Sequence, residues 1–104
     1  MHSGALNRIR FFRESNKTFV ANIAPQLTMK KFNGGHFIYE KGQHADEMYF
    51  IVHGRVNFVI EDEGIIFNTM IEGSYFGEVE LIRSKPRDFS TLADTGVKLL
   101  ALSH

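Results

Sequence analysis

The sequence predicts a mainly β domain of the α+β class, an antiparallel sandwich or barrel preceded by helices. Helical spacing of apolar residues is confined to residues 1–27, whereas residues 28–104 form short strand-like runs separated by glycine turns. With 104 residues, of which 43% are hydrophobic, the chain can build one core but not two. We therefore expect a single domain over 1–104, with a helical segment at 1–27 and a β region at 28–104.

The first helices are predicted from a cap and from apolar spacing. Ser15 or Asn16 can cap a helix that ends near Pro25, because proline fits a helix terminus better than its middle. Its expected apolar face comprises Phe19, Val20, Ile23 and Leu27. A shorter helical segment before it has four apolar residues for packing: Leu6, Ile9, Phe11 and Phe12.

Eight strands are predicted after residue 27, because turn residues bound each apolar run. Asn33-Gly34-Gly35, Asp62-Glu63-Gly64 and Asp94-Thr95-Gly96 are typical turn sequences, since their residues tolerate a positive φ. The expected strands are 28–33, 36–40, 48–53, 55–61, 65–70, 74–76, 90–93 and 97–102.

The composition excludes several classes of function. Twelve basic and twelve acidic residues give no positive excess for nucleic acid or a membrane surface. The absence of cysteine excludes disulfides and thiolate metal sites, and it fits a reducing compartment. No apolar run approaches the roughly 18 residues of a membrane span. The histidines lack the spacing of a metal site. The sequence has no nucleophile elbow, so it gives no indication of nucleophilic catalysis.

The segment 75–90 has the residues of a sugar-phosphate site. Gly77 permits a sharp turn, and a helical turn at 78–82 would direct free N–H groups toward an anion. Arg87, directly after Pro86, can place its planar guanidinium against a phosphate. The Glu78 carboxylate suits a pair of ribose hydroxyls.

This segment resembles the phosphate-binding cassette of cyclic-nucleotide-binding domains. The matching residues are Phe76-Gly77-Glu78, Leu81-Ile82, Pro86-Arg87 and Ser90. The stretches Gly35-His-Phe-Ile-Tyr-Glu-Lys-Gly42 and Met48-Tyr-Phe-Ile-Val-His-Gly-Arg-Val56 are similar to the early strands of the family. Gly73-Ser-Tyr-Phe-Gly-Glu78 and Leu100-Ala-Leu-Ser103 are most similar to hyperpolarisation-activated and cyclic-nucleotide-gated channels. The resemblance implies an antiparallel β-roll, or jelly-roll barrel, of about eight strands with a short cassette helix.

The resemblance also implies a ligand and its contacts. The ligand would be cAMP or cGMP, with no cofactor and no metal. Glu78 would bind the ribose 2′-hydroxyl, Arg87 the cyclic phosphate, and Ser90 would lie near the base. Other expected ligand-site residues are Phe76, Gly77, Val79, Glu80 and Asp88, with Val59 and Met70 as pocket walls. The domain would control an attached effector, an ion channel, from its cytoplasmic side; a homo-oligomer is left open.

The chain departs from the family pattern at the cassette and at its end. Glu80, Asp88 and Phe89 stand where the family has small residues, so residues 78–88 contain three acids and three bases. We expect Glu80 and Asp88 to be solvated or paired with Lys85 and Arg83. A pair between Arg87 and either acid would instead fill the anion site and favour a structural or interaction domain. The family has further helices, including a lid, after the last strand, so a fragment ending at residue 104 is expected.

Overall fold

A computed structural model of the chain describes residues 3–103. The helices are α1 (Ser3–Leu6), α2 (Arg10–Arg13), α3 (Lys17–Ile23) and α4 (Glu78–Arg83). The strands are β1 (Leu27–Phe32), β2 (Phe37–Tyr39), β3 (Glu47–His53), β4 (Arg55–Ile60), β5 (Ile65–Ile71), β6 (Tyr75–Phe76), β7 (Ser90–Ala93) and β8 (Val97–Ser103). Short 3₁₀ turns lie at Ala24–Gln26 and Glu61–Glu63.

The strands form two antiparallel sheets that make a β-roll. One sheet has the order β1-β8-β3-β6 and the other the order β2-β7-β4-β5. The predicted fold class is confirmed, and the eight predicted strands are present within one or two residues at each end. β1 begins at Leu27, one residue before the expected boundary, because Leu27 already pairs with Leu102 of β8.

Asn16 is the cap of α3, as the sequence predicts. Its side-chain oxygen accepts hydrogen bonds from the backbone N–H groups of Thr18 at 2.7 Å and Phe19 at 3.3 Å. Pro25 lies in the 3₁₀ turn that follows the helix. The expected apolar face is only partly buried, since Phe19 is 44% exposed. Among residues 3–103, none of the helices has the length and apolar character that a membrane span requires.

The sheet that contains β3 and β8 is covered on both faces. Leu99 of β8 and Ile51 of β3 face the second sheet across the interior of the roll. Leu100 and Phe50, their neighbours along the strands, face the helices together with Leu6, Ile9 and Phe12. Because successive side chains of a strand point to opposite faces, burial of both faces explains why these two strands are continuously apolar.

We expect Gly54→Ala to destabilise the fold much more than Gly64→Ala. Both glycines have a positive φ, which costs an alanine about 1–2 kcal/mol. A Cβ on Gly54 would also lie 2.5 Å from the carbonyl oxygen of Gly96 and 2.7 Å from Val97 Cγ1, whereas Gly64 has open space. This crowding raises the expected loss for Gly54→Ala to about 2–5 kcal/mol. Urea unfolding checks both values, and equal losses would contradict the close approach of the β3–β4 turn to β8.

Candidate functional site

The cassette is a short helix between two backbone turns with positive φ. Gly77, with φ +83°, joins β6 to α4, and Ser84, with φ 54°, ends α4. The backbone N–H of Lys85 donates to the carbonyl oxygen of Glu80 at 3.0 Å, which closes the helix end. The expected helical turn at 78–82 is therefore present, extended by one residue.

Arg87 is fixed by its backbone against the loop that follows β2. Its N–H donates to the carbonyl oxygen of Gln43 at 2.9 Å, and its carbonyl oxygen accepts from the N–H of Gly42 at 2.8 Å. The side chain is 1% exposed. The guanidinium therefore lies inside the roll and not on the cassette surface.

Three oxygen atoms and one ring surround the guanidinium. Nη1 donates to the Gly77 carbonyl oxygen at 2.6 Å and to Glu80 Oε1 at 3.1 Å. Nη2 donates to the Glu47 carbonyl oxygen at 2.5 Å. The Tyr39 ring lies beneath, its centroid 4.0 Å from Cζ, in cation–π geometry. These bonds use three of the five N–H donors, and within residues 3–103 the buried Nε–H has no hydrogen-bond partner.

Gly77 is required by the close approach of this guanidinium. A Cβ at position 77 would lie 3.2 Å from Arg87 Nη1 and 3.3 Å from Tyr49 Cδ2. Its positive φ is also a conformation that only glycine adopts without strain. The same residue thus makes the turn, leaves room for the arginine and supplies one of its acceptors.

Both side chains of the Glu80–Arg87 pair are buried: that of Glu80 is 10% exposed and that of Arg87 is 1% exposed. The expectation that Glu80 is solvated or paired with Lys85 or Arg83 is wrong, and the alternative, a pair with Arg87, is the one present. Desolvating two charges is costly, and removing one partner of such a pair strands the other in the core. The pair therefore acts as a structural element of the cassette.

The other predicted site residues lie around this centre. Asp88 pairs with Lys85 at 2.7 Å near the surface, as expected. Glu78 is half-buried and lines a cavity with Met70 and Gly73, and Val79 is exposed. The structure thus brings Gly77, Glu80 and Arg87 into contact, but it leaves Asp88 outside this group.

Two predicted residues have structural partners. Phe76 is buried in the core against the rings of Tyr39, Tyr49 and Phe58. Ser90 is fully buried, and its hydroxyl accepts from the Lys41 N–H at 2.9 Å and donates to the Glu61 carboxylate. The Ser90 hydroxyl is therefore engaged in holding β7 to the neighbouring loops.

Tyr39 and the carbonyl of Glu47 were missed by sequence reasoning. Tyr39 ends an apolar strand, and nothing in the spacing of that strand indicates an arginine above its ring. Glu47 contributes a backbone oxygen, for which its side chain gives no signal. Within the described residues no group of three or more histidines, aspartates or glutamates could hold a metal ion.

Burial raises the pKa values of two tyrosines beside the site. For Tyr39 burial is the main cause, Arg87 opposes it, and the charges of Glu80 and Glu78 add to it. For Tyr49 burial is again the main cause, and a hydrogen bond with Glu47 adds to it. Both phenols are therefore neutral at ordinary pH, and neither supplies an anion to compete for Arg87.

Comparison with known proteins assigns the family. The family model named cyclic nucleotide-binding domain matches residues 29–104, which is most of the chain. The chain belongs to this family. The family resemblance seen in the sequence is confirmed.

The curated relatives are channels and kinase subunits. A cyclic nucleotide-gated channel of Caenorhabditis elegans is 33% identical over 79% of this chain and 11% of its own length. Human potassium/sodium hyperpolarization-activated cyclic nucleotide-gated channel 4 is 34% identical over 88% of this chain and 8% of its own length. The type II regulatory subunit of cAMP-dependent protein kinase of Drosophila melanogaster is 32% identical over 97% of this chain and 27% of its own length. The chain thus spans about a quarter or less of each relative.

Solved structures support the fold. The cAMP-bound PfPKA-R structure superposes with a TM-score of 0.86 at 22% identity, covering 99% of this chain and 36% of that one. The regulatory subunit of a cAMP-independent protein kinase A from Trypanosoma brucei superposes with a TM-score of 0.86 at 23% identity, covering 99% of this chain and 39% of that one. At these identities the likeness concerns the β-roll alone.

We expect the stability of the domain to fall above pH 10, and Tyr39→Phe to reduce the fall. The ordinary phenol pKa is about 10, and the folded chain keeps the Tyr39 proton at pH values at which the unfolded chain loses it. Stability is therefore complete below pH 10 and decreases by about 1.4 kcal/mol per pH unit for each such tyrosine. Urea unfolding from pH 7 to 11 measures both slopes. Identical slopes in the two proteins would mean that Tyr39 titrates normally in the folded state.

Proposed function

We propose that residues 1–104 form one regulatory module that binds a cyclic nucleotide, cAMP or cGMP, and controls an attached effector. The observation that carries this proposal is the Arg87 guanidinium, which is buried within the family's cassette and retains an N–H without a partner. A buried cation with an open donor is suited to a phosphate, because a charge-assisted hydrogen bond gains strength away from water.

Glu78, one residue after Gly77, fits another part of such a ligand, because its carboxylate can accept hydrogen bonds from ribose hydroxyls. It lines a cavity with Met70, Gly73 and, from the N-terminal segment, Arg10, Phe11 and Glu14. The proposal needs no metal and no further cofactor, since recognition uses only charge and hydrogen bonds. The backbone amides of 77–80 are proposed to assist at the phosphate, and Ser90 to lie near the base.

The proposed effector is an ion channel, which would place the module on the cytoplasmic side of a membrane. Similarity to channels of two kinds supports this choice. A kinase is the alternative effector, because the similarity to a kinase regulatory subunit extends over 97% of the chain. Either effector would be controlled by a coupling energy that is typically about 1–3 kcal/mol.

A structural or interaction domain that binds no nucleotide is the second candidate. The Glu80–Arg87 pair favours it, because the carboxylate already occupies one edge of the guanidinium. The trypanosome subunit is informative here. One mutant of this subunit is bound to cAMP and carries three substitutions. A glutamate is replaced by alanine, the threonine seven residues later is replaced by arginine, and the valine directly after that threonine is replaced by alanine.

That spacing is the spacing of Glu80, Arg87 and Asp88 in this chain. If the positions correspond, this chain has the arginine that the mutant gained and the glutamate that the mutant lost. The shared spacing supports nucleotide binding through Arg87 and an opposing role for Glu80.

We expect Arg87→Lys to weaken cAMP and cGMP binding at least about tenfold. Lysine keeps the charge but cannot present a planar fork to a phosphate while reaching the Gly77 and Glu47 carbonyl oxygens. Removal of the charge would be a poorer test, because Glu80 would then be stranded in the core. Isothermal titration with each nucleotide measures the affinity, and a melt without ligand verifies that the variant is folded.

Lys85→Met is the matched control, since Lys85 carries the same charge two residues earlier but pairs with Asp88 near the surface. We expect it to change affinity by less than about threefold, the scale of a weak surface interaction. If the unmodified chain binds neither nucleotide at millimolar concentration, the proposed function is wrong. Equal affinities for Arg87→Lys and the unmodified chain would remove Arg87 from the phosphate site.

A further inference from the structure

We propose that Glu80 is an internal substitute for the phosphate, which sets the affinity of the site by competing for Arg87. In the empty domain its carboxylate neutralises the guanidinium, and a bound nucleotide takes its place. This inference rests on the proposed function and adds a specificity-determining residue to it. Glu80 would make the site respond only to ligands that carry an anion strong enough to displace a carboxylate.

Glu80 is the only side chain among the hydrogen-bond acceptors of the guanidinium within residues 3–103. The other two acceptors are the carbonyl oxygens of Gly77 and Glu47, which belong to the backbone on either side of the β3–β6 pair. A carboxylate on a flexible side chain can turn away by rotation, whereas these carbonyl oxygens cannot leave without moving a strand end. Exchange at Arg87 therefore involves Glu80 and preserves the two backbone contacts.

The hydrogen bonds are distributed as this exchange requires. Glu80 takes one N–H of Nη1 at 3.1 Å, longer than the two bonds to backbone oxygens at 2.6 and 2.5 Å. Nε–H has no partner within the described residues. Nε–H shares an edge of the planar guanidinium with Nη2 and not with Nη1, so a phosphate that accepts from Nε–H competes with Glu80 for the charge of the guanidinium and not for the same N–H.

The two partners of the pair also differ in burial. The Arg87 side chain is 1% exposed and the Glu80 side chain 10%, so the acid is the outer member and has access to solvent. Once displaced it would be rehydrated, which offsets part of the Coulomb energy that it loses. The guanidinium never has to leave the interior.

The remaining charges of the cassette do not perform this task. Asp88 is held by Lys85 at 2.7 Å on the surface, and no ion pair joins it to Arg87 in the described part of the chain. Glu78 lies at the cavity with Met70, where the ribose is proposed to bind. Among residues 3–103, Glu80 is therefore the one carboxylate paired with the guanidinium, and Asp88 is its natural control.

The test is Glu80→Gln, which retains the shape and one acceptor oxygen but removes the charge. We expect cAMP to bind about tenfold more tightly than to the unmodified chain, because the phosphate no longer displaces a carboxylate. Adenosine, which has the same base and ribose but no phosphate, should bind with unchanged affinity. The melting temperature without ligand should fall, so affinity and stability should change in opposite directions.

Asp88→Asn removes an equal charge one residue from Arg87, and we expect its cAMP affinity to stay within about threefold. Glu80→Ala serves as the second variant if Glu80→Gln does not fold. If the unmodified chain binds cAMP and Glu80→Gln binds it equally or more weakly, the inference is wrong and the proposed function stands. A gain for Asp88→Asn as large as that for Glu80→Gln would also overturn it, in favour of a general charge effect.

If neither the unmodified chain nor Glu80→Gln binds cAMP or cGMP, the proposed function and the inference fail together. If only Glu80→Gln binds, the proposed function of the unmodified chain is wrong, whereas the competition of Glu80 for Arg87 is supported. Titration of the unmodified chain, Glu80→Gln and Asp88→Asn with cAMP, cGMP and adenosine therefore separates the proposed function from the role of Glu80.

Discussion

A guanidinium inside a small β-roll constrains much of the structure around it. Arg87 cannot stay desolvated without an opposite charge and acceptors for its N–H groups, because an unpaired buried charge costs several kcal/mol. The Glu80 carboxylate, two backbone carbonyl oxygens and the face of Tyr39 supply these partners. The need for glycine at position 77 follows from the same placement, because a Cβ there would crowd the guanidinium.

The two-layer architecture explains how the roll can hold such a charge. The sheet that contains β3 and β8 is sealed on its outer face by the N-terminal helices, so the interior of the roll is left for the second sheet and the cassette. Backbone hydrogen bonds between Arg87 and residues 42–43 fix the far end of the cassette.

The fold was predictable from sequence to a greater extent than the site was. Turn residues and strand alternation predicted all eight strands, and the cap of α3 was narrowed to Ser15 or Asn16, because these signals are local. The partner of Glu80 was not predictable, since it depends on whether Arg87 points inward, and that is decided by contacts of Arg87 with residues 42–43 far along the chain. Glu47 acts through a carbonyl oxygen, which no side-chain pattern reports.

The central claim is that the free donor of Arg87 is the phosphate contact, and the ¹H–¹⁵N signal of its Nε–H tests this most directly. The signal can be assigned by its absence from Arg87→Lys. On addition of cAMP we expect it to move downfield and to exchange more slowly with water, while adenosine leaves it unchanged. An Nε–H signal that stays in place when the site is saturated with cAMP would contradict the account.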